Sequence, residues 1–124
     1  GYSMPKILIV DDSPAQLHCL SRIVEQAGHQ PVLAESGEQA IEVAASERPS
    51  VILMDIVMPG MSGYQAKRTL GRNRDTCHIP VIFVSAKNGE ADRAWGLRQG
   101  ASEYVTKPVN PTLLLTAISE AVAA

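Results

Sequence analysis

Five short apolar runs recur along the chain: Lys6–Val10, Pro31–Ala34, Val51–Met54, Val81–Val84 and Ser102–Val105. They are rich in β-branched residues, and three of them are continuous rather than alternating. A strand reads this way when both of its faces are covered, as in a parallel sheet. The segments between the runs follow a helical period. Ser13-Pro14 pairs a capping residue with proline at the first helical position, and Leu17, Leu20, Ile23, Val24 and Ala27 form an apolar stripe before Gly28. Capping-box spacings at Ser36/Gln39 and Ser62/Gln65 predict two more helices, one stopping before Pro49 and one fading near Arg72. A fourth helix is expected from about Gly89 to Gln99, closed by Gly100. The last begins at Asn110-Pro111 and places Leu114, Ala117, Ile118, Ala121 and Val122 on one side.

The order is therefore (βα)5. Right-handed crossovers put helices on both faces, which predicts an α/β, doubly wound, three-layer sandwich around a parallel sheet of five strands. A chain of 124 residues fits one such domain, expected over residues 4–124. Gly1-Tyr2-Ser3 ahead of Met4 reads as an expression scar and lacks the basic and apolar regions of a signal peptide.

Composition narrows the function classes. The formal net charge is −2 and the eleven Lys and Arg residues read as scattered, so no basic face for nucleic acid is expected. No apolar run is long enough to span a bilayer. Cys19 and Cys77 fit neither a metal spacing nor a disulfide framework, which points to reduced thiols in a cytoplasmic protein. His18, His29 and His78 have no second ligand near them in sequence.

Candidate chemistry lies just past the strands. The first run ends in Asp11-Asp12, the third in Asp55, the fourth in Ser85 and the fifth in Thr106-Lys107. In open parallel sheets ligands bind outside the carboxyl ends of the strands, so four strands deliver polar side chains to one edge. A single loop aspartate is most simply a helix cap, as Asp12 before Ser13-Pro14 could be. Three acids, a hydroxyl and a lysine at one register are poorly explained that way. Three close carboxylates need protons or a cation, and an oxygen-only donor set selects a hard cation such as Mg²⁺. A carboxylate beside Mg²⁺, with a lysine to pair the transferred group, describes acyl-phosphate formation on Asp55. The Asp11-Asp12 pair is better placed to bind metal. Two enzymatic or cofactor alternatives fit poorly: a haloacid-dehalogenase-type phosphatase needs Asp-x-Asp after the first strand, and a flavin phosphate would be repelled by Asp11-Asp12.

Taken together, Ile-Leu-Ile-Val-Asp11-Asp12-Ser, Met54-Asp55-Ile-Val-Met-Pro59-Gly-Met-Ser-Gly63, Val84-Ser85-Ala86-Lys87 and Tyr104-Val-Thr-Lys107-Pro108 resemble the receiver domain of two-component response regulators, the CheY-like fold. The resemblance spans residues 5 to about 122. It implies the strand order 2-1-3-4-5. It further implies that Asp55 takes a phosphoryl group from a histidine kinase or histidine phosphotransfer domain, so that the chain promotes its own phosphorylation and dephosphorylation without being a conventional enzyme. Asp12 and Asp55 would bind Mg²⁺ directly, Asp11 through water, and the Val57 backbone carbonyl would add a ligand. Lys107 would pair with the phosphoryl group, Ser85 would hold it, and Tyr104 would turn inward as the Ser85 hydroxyl moves. The Lys107-Pro108 peptide is expected to be cis. Val57 and Lys87 would tune the phosphorylated lifetime. The segments Gly63-Tyr-Gln-Ala66 and Trp95-Gly-Leu-Arg-Gln-Gly-Ala101 narrow the resemblance to regulators of type IV pilus twitching motility. The readout is then expected on the face of the fourth helix, fifth strand and fifth helix, with Trp95 a candidate contact, in a monomer that meets a downstream protein. A receiver belonging to a larger regulator with an output domain, or a phosphate sink in another chemosensory pathway, would carry the same motifs.

Overall fold

The computed structural model describes residues 4–123; the expected scar at residues 1–3 lies outside them. Strands β1 (Lys6–Val10), β2 (Gln30–Ala34), β3 (Val51–Met54), β4 (Val81–Ser85) and β5 (Glu103–Thr106) alternate with helices α1 (Pro14–Gln26), α2 (Gly37–Glu47), α3 (Gly63–Arg72), α4 (Glu90–Arg98) and α5 (Pro111–Ala123). The strands form one sheet of order β2-β1-β3-β4-β5, and every pairing is parallel. This is the doubly wound α/β architecture that the continuous apolar runs imply.

Side chains of each strand alternate between two cores. Ile7, Ile9, Val51, Leu53, Ile82 and Val84 pack with Leu17, Leu20 and Val24 of α1 and with Leu114 and Ile118 of α5. On the other face Leu8, Val10, Ile52, Met54 and Phe83 pack with Ala40 and Ala44 of α2 and with Ala66 and Leu70 of α3. The central strand β3 is buried along its whole length, which explains why its sequence shows no alternation.

Several expectations shift at element ends. The apolar stripe of α1 stops at Val24, because Ala27 is the exposed cap rather than a core residue. Val122 on α5 is likewise 42% exposed, although its neighbour Ala121 is buried in the core. The box at Ser62/Gln65 closes in both directions. At Ser36 only half of it forms: Ser36 Oγ accepts from Gln39 N–H at 3.1 Å, but Gln39 Oε1 accepts from Glu35 N–H at 2.7 Å. The edge strand β2 begins one residue early, at Gln30, and β5 begins at Glu103 rather than Ser102. The basic residues are not evenly scattered either. Lys67, Arg68, Arg72 and Arg74 stand on α3 and the turn after it, and none of the four makes an ion pair among the described residues.

Candidate functional site

The register of the two inner strands makes the site. Val10 of β1 stands beside Met54 of β3, so the next residues, Asp11 and Asp55, leave the sheet together. Both are tied by backbone bonds that continue the ladder: Asp55 N–H donates to the Val10 carbonyl at 2.9 Å, and Asp11 N–H to the Ala34 carbonyl at 3.2 Å. Asp12 follows on the exposed side. One carboxylate oxygen from each of Asp11, Asp12 and Asp55 lies within 4.8 Å of the other two.

Lys107 reaches this cluster from the end of β5. Its N–H donates to the Ser85 carbonyl at 2.8 Å, and its peptide bond to Pro108 is cis. Its Nζ lies 2.8 Å from Asp11 Oδ2 and 3.6 Å from Asp55 Oδ1. Asp11 Oδ1 accepts from Ser13 N–H at 2.9 Å, which fixes that carboxylate from the start of α1. Asp55 Oδ1 accepts from Ile56 N–H at 2.9 Å. Burial pushes the Asp55 carboxyl above its ordinary range. The Lys107 ammonium opposes that rise, Asp11 reinforces it, the Ile56 N–H opposes it and Asp12 adds to it.

Gly63 supports the site from behind, a role that the motif reading did not assign. It opens α3, and its N–H donates to the Ile56 carbonyl at 2.8 Å. A Cβ there would stand 2.2 Å from the Asp55 carbonyl oxygen and 2.9 Å from Ile56 Cα. The helix start therefore presses directly on the backbone that carries Asp55. The sequence signal was the glycine inside an otherwise ordinary helix start, eight positions after an acid at a strand end.

Ser85 and Tyr104 meet through the backbone of Lys87. Ser85 Oγ, fully buried, accepts from Lys87 N–H at 3.1 Å, and the Ser85 side chain also acts on the Tyr104 hydroxyl, opposing the rise in its pKa that burial causes. The Tyr104 hydroxyl donates to the Lys87 carbonyl at 2.7 Å. Tyr104 is only 2% exposed, and burial raises the pKa of its hydroxyl. The Lys87 side chain is exposed, so its tie to this pair runs through its peptide groups. Val57 is also exposed. Trp95 is half exposed, but its ring stands edge-on to Tyr64 of α3 at 6.5 Å. The groove on the α4–β5–α5 face is lined by Arg93, Tyr104, Val105, Leu113 and Ala117, not by Trp95. Trp95 thus stands on α4 with its ring toward α3, outside the lining of that groove but half exposed.

The donor set fits a hard cation. Three carboxylates converge with no thiol or imidazole among them, which suits a small cation bound by oxygen.

Comparison with known proteins agrees in family and fold. The family described as response regulator receiver domain matches residues 7–119. Protein PilH of Pseudomonas aeruginosa is 48% identical over 97% of this chain and 99% of its own length. Several longer regulators match over 24% to 49% of their lengths. Among solved structures, the chemotaxis protein CheY4 of Vibrio cholerae aligns with a TM-score of 0.88 at 27% identity, covering 96% of this chain and 99% of its own. The receiver domain of sensor histidine kinase PA1611 from Pseudomonas aeruginosa, solved with a magnesium ion coordinated in its active site cleft, aligns with a TM-score of 0.90 at 26% identity, over 98% of this chain and 100% of its own. Strand order, the acid cluster past β1 and β3, and the matched family agree, and the chain belongs to the response regulator receiver domains.

Proposed function

We propose that the chain is a phosphorylation-controlled switch in which Asp55 accepts a phosphoryl group from a phosphohistidine on a histidine kinase or histidine phosphotransfer domain. The observation that carries this reading is one pocket holding Asp55, two further carboxylates and the Lys107 ammonium. Asp55 Oδ1 is engaged by Ile56 N–H and faces Lys107, which leaves Oδ2 as the attacking atom. The Oδ2–P bond forms as the P–N bond breaks and its electron pair stays on the departing nitrogen; the ring leaves as neutral imidazole when its other nitrogen already carries a proton, and otherwise takes one from solvent. Asp11, Asp12, Asp55 and the Val57 carbonyl would hold Mg²⁺, which would supply charge neutralisation for the phosphoryl oxygens. Lys107 pairs with one of those oxygens, and the Ser85 hydroxyl turns to donate to another.

The Ser85–Lys87–Tyr104 hydrogen bonds then carry the change toward the α4–β5–α5 groove, where a downstream protein docks on a monomer. Val57 and Lys87, both exposed beside the pocket, set how fast water removes the group. The likeness to PilH, nearly end to end, supports a place in a cytoplasmic chemosensory pathway that controls type IV pilus twitching motility. No helix among the described residues is long and apolar enough to cross a membrane.

The test is incubation with acetyl phosphate and Mg²⁺, followed by intact mass measurement. Wild type should gain one phosphoryl group and Asp55→Asn none; an unmodified wild type would defeat the reading. The same assay, followed after donor removal, should show a changed lifetime in a Val57→Asn/Lys87→Glu variant.

A further inference from the structure

Gly96 is the residue that α4 buries, and its backbone is helical, so nothing in its conformation requires glycine. Glycine inside a helix is less favourable than alanine, because the chain loses more freedom on folding. The reason for it lies across the interface with β5. A Cβ at position 96 would stand 2.5 Å from Tyr104 Cδ2 and 2.9 Å from Tyr104 Cε2. Those separations are closer than carbon atoms can approach, whereas the 3.4 Å to Phe83 Cδ2 is ordinary contact. The inward Tyr104 ring therefore lies against bare helix backbone, in space that a methyl group would take.

The ring has another place to go. On the outer side of β5, a groove of about 340 Å³ runs between α4 and α5, lined by Arg93, Val105, Thr106, Leu113 and Ala117 as well as Tyr104 itself. Moving there would break the bond from the Tyr104 hydroxyl to the Lys87 carbonyl. It would also free the space beside Gly96. We propose that Gly96 is a positioning residue for Tyr104: the missing side chain admits the inward ring, and any side chain at 96 drives the ring toward the α4–α5 groove. As a statement about the switch, this rests on the role proposed above for Tyr104. As a statement about ring position, it stands without phosphorylation.

The test uses Gly96→Ala in the wild-type chain and in a Tyr104→Ala background, with no phosphoryl donor present. Ring exposure is read by photo-CIDNP NMR, which polarises only solvent-accessible aromatic rings; half-exposed Trp95 is the positive control in each sample. Tyr104 should be silent in wild type and gain a clear enhancement in Gly96→Ala. The shift in Tm caused by Gly96→Ala should be more favourable in the Tyr104→Ala background, where the methyl group meets no ring. A silent Tyr104 in folded Gly96→Ala, or equal Tm shifts in the two backgrounds, overturns the proposal. Both measurements are independent of Asp55, so their failure leaves the phosphoryl-acceptor reading intact, and a failure of acetyl phosphate labelling leaves this one intact.

Discussion

At the scale of single residues, the site is a set of groups that the fold holds against their own preferences. Asp55 is buried, and its carboxyl is pushed above the ordinary aspartate value, first by burial and then by Asp11 and Asp12 beside it. A carboxyl whose pKa rises on folding favours the proton in the folded state. Its charged form therefore costs stability once pH exceeds the unfolded value of about 3.9. The cost is fully present above the raised folded value and absent below the unfolded one. Asp55→Asn should accordingly raise Tm at neutral pH in the presence of a chelator, and the gain should shrink as pH falls toward 3.9 and vanish below it. Thermal melts across that range check the sign. A variant that is destabilised at neutral pH would mean that the Lys107 and Ile56 contacts outweigh burial and repulsion. Lys107 shows the converse tension: its ammonium is drawn into the pocket by Asp11 at 2.8 Å, where a phosphoryl group would compete for it.

At the scale of elements, function depends on how helix starts meet strand ends. Gly63 begins α3 against the Asp55 carbonyl, and a side chain there would force the helix or the loop to move. Overpacking of this kind costs about 1–3 kcal/mol. Gly63→Ala should fall at the upper end of that range, since backbone rather than a flexible side chain is the obstacle. It should also slow acetyl phosphate labelling, because the displaced backbone carries the nucleophile. Chemical denaturation and a labelling time course test the two parts, and normal stability with normal labelling would show that the contact is slack. The strands and most helix boundaries were legible in the chain itself: continuous β-branched runs, Ser-Pro and Ser-x-x-Gln starts, and glycine stops each have one dominant physical meaning. What was not legible depended on neighbours. Ser36/Gln39 has the spacing of a capping box, yet the Gln39 amide turns to Glu35. The orientation of Trp95 toward Tyr64 follows from how α3 and α4 pack, and no local pattern encodes it. The same holds for Gly63 and Gly96, whose roles appear only when the opposing atoms are known. By contrast Asp11, Asp12, Asp55, Ser85 and Lys107 could be grouped early, because position past a parallel strand already says which edge a residue shares.

At the scale of the whole molecule, the sheet concentrates negative charge at one edge and the protein must neutralise it. Lys107 does so in part, pairing with Asp11 while both are largely shielded from solvent. Removing one partner of such a pair strands the other, at a cost of about 3–5 kcal/mol. Lys107→Ala should therefore be less stable than wild type in the presence of a chelator. The same substitution leaves three carboxylates with no competing cation, so a divalent ion should bind it more tightly. Binding to the folded state alone stabilises by RT ln(1 + [L]/Kd), which makes the melting temperature a direct readout of that affinity. Titrating Mg²⁺ into both proteins should raise Tm in each, with the larger rise and the lower half-saturating concentration in Lys107→Ala. Adding Asp12→Asn should weaken the response in either background, since it removes one of the three converging oxygens. If Mg²⁺ leaves Tm unchanged, the acid cluster is no cation site. If the two responses are equal, Lys107 and the metal do not share the charge of the pocket, and phosphoryl transfer would have to draw the lysine from Asp11 without help from that competition.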